Sequence, residues 1–179
     1  MNYNTKIKIF KFIRTFFNFF NFQLFYSKKI NYLKNLQIDN IIDVGVADGT
    51  DFLFKNFPMA KYFFIEPNSI YHEIIENKLL KKYNGKIFKL AAGNQTGKLE
   101  FFNEGVASSF LQREDYKLTK KIYIDVDKLD NILRNENISG TTLLKIDTEG
   151  FELDVLKGSE ELLKKSNYCI VEIRLQKIK

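Results

Sequence analysis

Residues 38–50 read IDNIIDVGVADGT, from Ile38 to Thr50, and this stretch decides the fold. Ile38, Ile41, Ile42 and Val44 have the composition of a buried strand, and Asp43 with Gly45-Val46-Ala47-Asp48-Gly49-Thr50 reads as the turn where that strand feeds a helix. Glycines at positions 45 and 49 let the backbone bend sharply and approach a ligand closely. A helix starting near Asp48 would present unpaired amides to whatever sits above it.

The flanking sequence extends this into a repeating pattern. A helix from Asp48 to Asn56 stops before Pro58, and Tyr62 to Ile65 is a strand ending in Glu66-Pro67. Asn68 or Ser69 caps a helix running to Tyr83, Asn84-Gly85 ends it, and Lys86 to Leu90 forms a third strand ending at Ala91-Ala92-Gly93. Strands joined by short helical crossovers imply a parallel sheet. The middle of the chain differs. It carries strands at Lys98 to Phe102 and Lys120 to Val126, the polar loop Ala107-Ser108-Ser109 and a short helix at Asp127 to Arg134. This portion is expected either to shape a pocket lid or to form edge structure.

The parallel pattern resumes with the strand Thr142 to Ile146, interrupted by Lys145 and ending in Asp147-Thr148-Glu149-Gly150. A helix from Phe151 to Lys165, breakable at Gly158, would bury Leu153, Leu156, Leu162 and Leu163, and Tyr168 to Ile173 is the last strand. The expected fold is α/β: a three-layer, mostly parallel Rossmann-like sheet. The expected organisation is a basic, Phe-rich helical leader over 1–37 and one domain over 38–179.

Composition bounds the function. With 45% hydrophobic and 28% charged residues in 179, the chain is an ordinary single-domain globular length, neither disordered nor polytopic. The net charge of +6 is concentrated before Ile38, where Lys6, Lys8, Lys11, Arg14, Lys28, Lys29 and Lys34 face no acid. The remainder, 21 basic against 22 acidic residues, is close to neutral, so no nucleic-acid partner is expected. Read as a helix, residues 6–26 are amphipathic with a wide phenylalanine face, too interrupted by charges and amides to span a bilayer. It can pack on the domain, lie at a membrane surface as a peripheral contact, or meet a partner or a second copy in a homo-oligomer. Cys169 is the single cysteine, which excludes an intrachain disulfide and favours a cytoplasmic, reducing location, membrane-associated if the leader lies on a bilayer.

In open parallel sheets ligands bind beyond the carboxyl ends of the strands. Asp43, Gly45, Glu66, Asn94, Asp147 and Glu149 all follow strand ends in this reading. An acid closing the second strand can accept both hydroxyls of a ribose, since two carboxylate oxygens match two vicinal donors. Glu66 stands 17 residues beyond Gly49. The glycine spacing is G-x-x-x-G, lacking both the dinucleotide G-x-G-x-x-G and the phosphate-loop pattern. That departure turns the nucleoside reading toward S-adenosylmethionine, which has no pyrophosphate to cradle. His72 lies on a helix and reads as a solvated residue, and no metal site is expected.

The segments IIDVGVADGT, FFIEPNSIY, KLAAGNQTG, ASSF, KLDNIL, LLKIDTEGFELDVLKG and IVEI, in that order, resemble the FkbM family of S-adenosylmethionine-dependent methyltransferases. The resemblance spans Ile38 to Ile173 and implies a class I Rossmann-like methyltransferase acting on oxygen. The acceptor it implies is a small-molecule hydroxyl, typically on a sugar, polyketide or other metabolite. It implies that Asp43, Gly45 and Gly49 line the methionine side of the cofactor, that Glu66 holds the ribose, and that Asp147 and Glu149 stand near the transfer centre; Asp48, a neighbouring acid where the family has Asn, and Asn94, shortly after the third strand, are further cofactor-binding candidates. Asp147 or Glu149 would then be the base or the acceptor-orienting group, with Ser108 and Ser109 defining the substrate pocket. In the competing reading Glu149 caps the next helix and Asp147 holds the loop through backbone amides. Family members usually carry Ala-Asn between the glycines, where this chain has Val46-Ala47-Asp48, and usually continue well past the IVEI strand. Against that pattern the chain reads as C-terminally shortened. The alternative function is a catalytically impaired protein serving as a cofactor-binding, oligomerising or membrane-surface module.

Overall fold

The computed structural model describes residues 33, 35–103 and 120–173. The expected amphipathic leader and the Ser108-Ser109 loop lie outside the described residues, apart from the leader's last few positions. Leu33 is buried in the core and Leu36 packs against it, so residues ahead of Ile38 contribute to the domain.

In chain order the elements are β1 (Asn40–Val44), α1 (Asp51–Asn56), β2 (Lys61–Ile65) and α2 (Ser69–Ile74). A π-helical stretch (Ile75–Leu79) and a last turn (Leu80–Lys82) carry α2 onward to β3 (Gly85–Phe88). Then come β4 (Ala91–Gly93), β5 (Gly97–Asn103), β6 (Lys120–Lys128), α3 (Leu129–Ile132), β7 (Thr142–Ile146), α4 (Glu152–Lys157), α5 (Glu160–Lys165) and β8 (Tyr168–Val171).

The main sheet has five strands in the order β3-β2-β1-β7-β8, and every pairing in it is parallel. The chain winds outward from β1 through β2 to β3, then returns to the other side of β1 as β7. The strand order therefore switches between β1 and β7, where a crevice opens at the carboxyl edge. In register, Val44 pairs with Ile65 on one side and Ile146 on the other. Consequently the residues that follow, Gly45, Glu66 and Asp147, leave the sheet at one level.

All five residues of β1 are buried, as expected of a central strand covered on both faces. Alternation divides the side chains into two cores. Ile41, Tyr62, Phe64 and Leu143 pack with Leu53, Phe54, Ile75 and Leu79 of the α1–α2 layer. Ile42, Val44, Phe63, Ile65, Leu144 and Ile146 pack with Leu129, Val155, Leu156, Leu162 and Leu163 of α3, α4 and α5. Much of the aromatic content lies here: Phe54 stacks on Tyr83 with centroids 4.5 Å apart, and Tyr62 on Phe64 at 5.3 Å.

Three local expectations are corrected. The third strand, expected over Lys86 to Leu90, ends at Phe88, and Ala91–Gly93, read as its close, is a separate strand outside the main sheet that pairs parallel with β6. Together β4, β6 and β5 make a second, three-stranded sheet in which β5 is antiparallel to β6. Helix α1 starts at Asp51 rather than Asp48, since Ala47 and Gly49 hold positive φ angles of 48° and 123° that no right-handed helix accommodates. The break that Gly158 allowed in the helix over Phe151 to Lys165 is present, giving two short helices either side of Gly158-Ser159. A Cβ on Gly158 would stand 1.8 Å from the Gly93 carbonyl oxygen, so only glycine lets the break approach β4. With only six residues in α4, the buried face is set by Val155 and Leu156, and Leu153 is 47% exposed. The amides opening α5 are capped from a distance, by Asp130 accepting from Leu162 N at 2.8 Å and Glu161 N at 3.0 Å.

Candidate active site at the carboxyl edge of the sheet

A cleft with about 640 Å³ of empty space, open mouth included, lies over the switch point. Its floor comes from Val44, Gly45 and Ala47 after β1, one wall from Ile65 to Asn68 and Tyr71, and another from Asp147, Thr148 and Glu149. Ala91, Ala92 and Phe101 of the second sheet close the remaining side. Of the middle portion of the chain, Phe101 is the described residue that borders the cleft.

Glu66 is buried at the end of β2, and both of its oxygens are anchored. Oε2 accepts from Ala47 N at 2.9 Å and Oε1 from Asn68 N at 2.8 Å. The first bond holds Ala47 in its left-handed conformation, a strained state for a residue with a Cβ. Burial raises the Glu66 pKa above its ordinary value; the two amides and Lys145 oppose the shift, and Asp43 adds to it. Each carboxylate oxygen has lone-pair capacity beyond one amide, so the group can still accept donors from a ligand. The lone histidine contributes here: His72 Nε2 stands 2.9 Å from the Glu66 carbonyl oxygen. The ring is therefore tied back to the strand end, not merely solvated as its helical position suggested.

The turn and the β7 end are locked together by Lys145, which sequence reasoning registered only as an interruption of an apolar strand. Its ammonium donates to the Gly45 carbonyl at 2.9 Å, lies 3.1 Å from Asp43 Oδ1 and 3.5 Å from Asp147 Oδ2. Burial works against this ammonium, but Asp43 and Asp147 outweigh it and hold its pKa above the usual lysine value. Burial pushes Asp43 above its ordinary pKa, with Lys145 and Thr50 pulling back. Neither Asp43 oxygen accepts a hydrogen bond of good geometry, and the residue is 0% exposed. Asp43 thus sits beneath the turn and does not line the cleft.

Gly45 has φ +79°, and a Cβ there would come within 1.8 Å of the Asp147 carbonyl oxygen. The close approach it permits is between the two strand ends, not only toward a ligand. The Asp147-Thr148-Glu149-Gly150 loop is held by Glu152, whose Oε1 accepts from Thr148 N at 3.1 Å and Gly150 N at 2.8 Å. The loop-holding role that the sequence offered to Asp147 is filled by Glu152, and both Asp147 and Glu149 border the cleft.

Of the residues singled out in the sequence, Gly45, Glu66, Asp147 and Glu149 meet at the cleft. Asp48 is exposed, and Gly49 closes the turn through its amide, which donates to the Val46 carbonyl at 2.9 Å. Neither borders the cleft. Asn94 is turned to α4, where its Nδ2 donates to Asp154 Oδ1 at 2.6 Å. Ser108 and Ser109 lie outside the described residues. Among the described residues no cluster of three or more His, Cys, Asp or Glu side chains could hold a metal. Among the same residues no helix is long and apolar enough to cross a membrane.

An open parallel sheet with its cleft at the switch point, a glycine turn beneath it and a buried acid closing the second strand defines the Rossmann-like methyltransferase fold class. The family model described as the methyltransferase FkbM domain matches residues 43–179. The chain belongs to the FkbM methyltransferase family. Among solved structures it is similar to the crystal structure of methyltransferase FkbM from Methylobacillus flagellatus KT, with a TM-score of 0.50 and 21% identity. That likeness concerns the fold, covering 76% of this chain and 34% of the other, so this chain spans about a third of the solved protein's length. No curated protein matches it.

Proposed function

We propose that this chain is an S-adenosylmethionine-binding methyltransferase domain whose acceptor is a hydroxyl on a small molecule, a sugar being the class that the family resemblance favours. The observation that carries the reading is Glu66, anchored by two backbone amides at the lip of a cleft where the Gly45 turn, β2 and β7 end level. The residues present fit the cofactor: a fixed carboxylate for a vicinal diol, and an acceptor-rich surface from Glu66, Asp147 and Glu149 for a cationic ligand.

S-adenosylmethionine supplies an electrophilic methyl group on a sulfonium. With the cofactor bound, Glu66 would hold the ribose, and the backbone at Gly45 to Ala47 would take the amino-acid end. Asp43, Asp48 and Gly49 serve through the shape of that turn, and Asn94 through its tie to Asp154. Asp147, oriented from behind by Lys145, accepts the proton of the acceptor hydroxyl, and Glu149 aligns that hydroxyl for in-line attack. Ser108 and Ser109 contribute to the acceptor pocket.

The reading is tested with methyl-labelled S-adenosylmethionine and a panel of sugars and other small hydroxyl compounds. The expected result is label transfer to at least one compound, reduced ~100-fold or more in D147N or E149Q. Near-parental turnover in both variants would reject the assignment of these carboxylates.

A further inference from the structure

The helical segment from α2 to Lys82 buries one side and turns a mixed apolar and basic stripe to solvent. Ile75 and Leu79 are buried in the core beneath it. Ile70, Ile74, Lys78 and Lys82 follow one another at intervals of four, which stacks them along one helix face. Ile70 is 50% and Ile74 38% exposed, and both lysines are exposed.

The charge at the end of this stripe is not neutralised. Residues 77–90 carry five lysines and no acid. Two of the five are paired, Lys89 with Glu76 at 2.7 Å and Lys86 with Glu136 at 2.6 Å. Lys78, Lys81 and Lys82 have no acidic partner among the described residues, and Lys82 lies over the Tyr83 ring, 5.1 Å from its centroid. Of the two acids on the helix itself, Glu76 is committed to Lys89 and Glu73 stands one residue off the stripe. Lysines near a helix C-terminus complement its dipole, but that explains neither the exposed isoleucines nor their alignment with the lysines. The acid-free segment ahead of Ile38, with its seven basic residues, leads into the same core through Leu33.

We propose that this stripe is a docking surface for an anionic lipid bilayer, the isoleucines entering the headgroup boundary and the lysines meeting anionic headgroups. A nucleic acid would use the lysines and leave the isoleucines in water. The contact belongs to the folded domain, beyond any made by the basic leader, and does not depend on what the cleft binds.

The test is flotation of the full-length chain with phosphatidylcholine vesicles with and without phosphatidylglycerol, at low and high ionic strength. Folding of every variant is checked by circular dichroism. The parent chain should float with the anionic vesicles and bind less at high salt. Lys78→Gln with Lys82→Gln should bind roughly 10- to 30-fold more weakly, the effect of two lysines at an anionic surface. Ile70→Gln with Ile74→Gln should also weaken binding while keeping the parent's salt dependence. Lys164→Gln with Lys165→Gln, the same charge change on α5 in the opposite layer, should bind as the parent does. Equal binding by the Lys78/Lys82 variant and the parent would overturn the inference, assigning any flotation to the leader. An equal loss in the α5 variant would overturn it too, as a mere effect of net charge. An unaffected isoleucine variant, no flotation of the parent, or capture of an oligonucleotide in place of vesicles would each reject the bilayer as the partner.

Discussion

Replacing Lys145 with methionine removes the charge that joins the two strand ends while keeping most of the side-chain volume. The side chains of Lys145 and Asp43 are 6% and 0% exposed, so screening by water is slight and the exposed-pair value of ~0–1 kcal/mol does not apply. Breaking a buried pair from one side typically costs ~3–5 kcal/mol, because the surviving charge is left uncompensated. Here that charge is Asp43, already raised above its ordinary pKa by burial and pushed higher once Lys145 is gone. An acid with a higher pKa folded than unfolded favours the folded state when protonated. Its penalty is therefore smallest near the unfolded value and grows as pH rises through the folded one. Urea unfolding of Lys145→Met should accordingly show a deficit of ~3–5 kcal/mol at pH 7 that shrinks at pH 5. The double variant D43N/K145M should recover a large part of it. A deficit below ~1 kcal/mol, or strict additivity of the two substitutions, would refute the view that Lys145 compensates Asp43.

Other consequences are equally open to measurement. Gly45→Ala should destabilise the fold by ~3 kcal/mol or more in denaturant unfolding, since its Cβ would overlap the Asp147 carbonyl and its φ is +79°. Ala47→Gly, at φ 48°, should stay within ~1 kcal/mol of the parent, as relief of left-handed strain offsets the added freedom of the unfolded chain. Cys169 is half-buried, packed against the α3–α5 core, and loss of solvation pushes its thiol up to about 12, so it should alkylate more slowly at pH 8 in the native chain than in denaturant. Equal rates in the two states would contradict the raised pKa.

The strands and their parallel order were legible because β1, β2 and β7 are short apolar runs separated by helix-forming segments, a pattern with few architectural solutions. Glu66, Asp147 and Glu149 were legible for the same reason: they follow strand ends, and the topology brings strand ends together. What escaped depends on three-dimensional approach. The displacement of Ala91–Gly93 into a second sheet is set by pairing with β6, more than 25 residues later in sequence, and leaves no local signature. The later start of α1 follows from positive φ angles at Ala47 and Gly49, of which only the glycine advertises itself. Lys145 was visible as a charge inside an apolar strand, the kind of buried polar residue that signals a partner, yet besides nearby Asp147 its partners Gly45 and Asp43 lie about 100 residues away at the turn. Tyr71 looked like an ordinary aromatic of a helix face, and its unpaired hydroxyl emerges only from the packed structure.

The central claim is that the cleft over Gly45, Glu66 and Asp147 holds S-adenosylmethionine, and direct titration of the full-length chain tests it. With folding verified by circular dichroism, the account predicts saturable heat at one site per chain, weakened in Glu66→Gln. No saturable binding by the folded chain would contradict it.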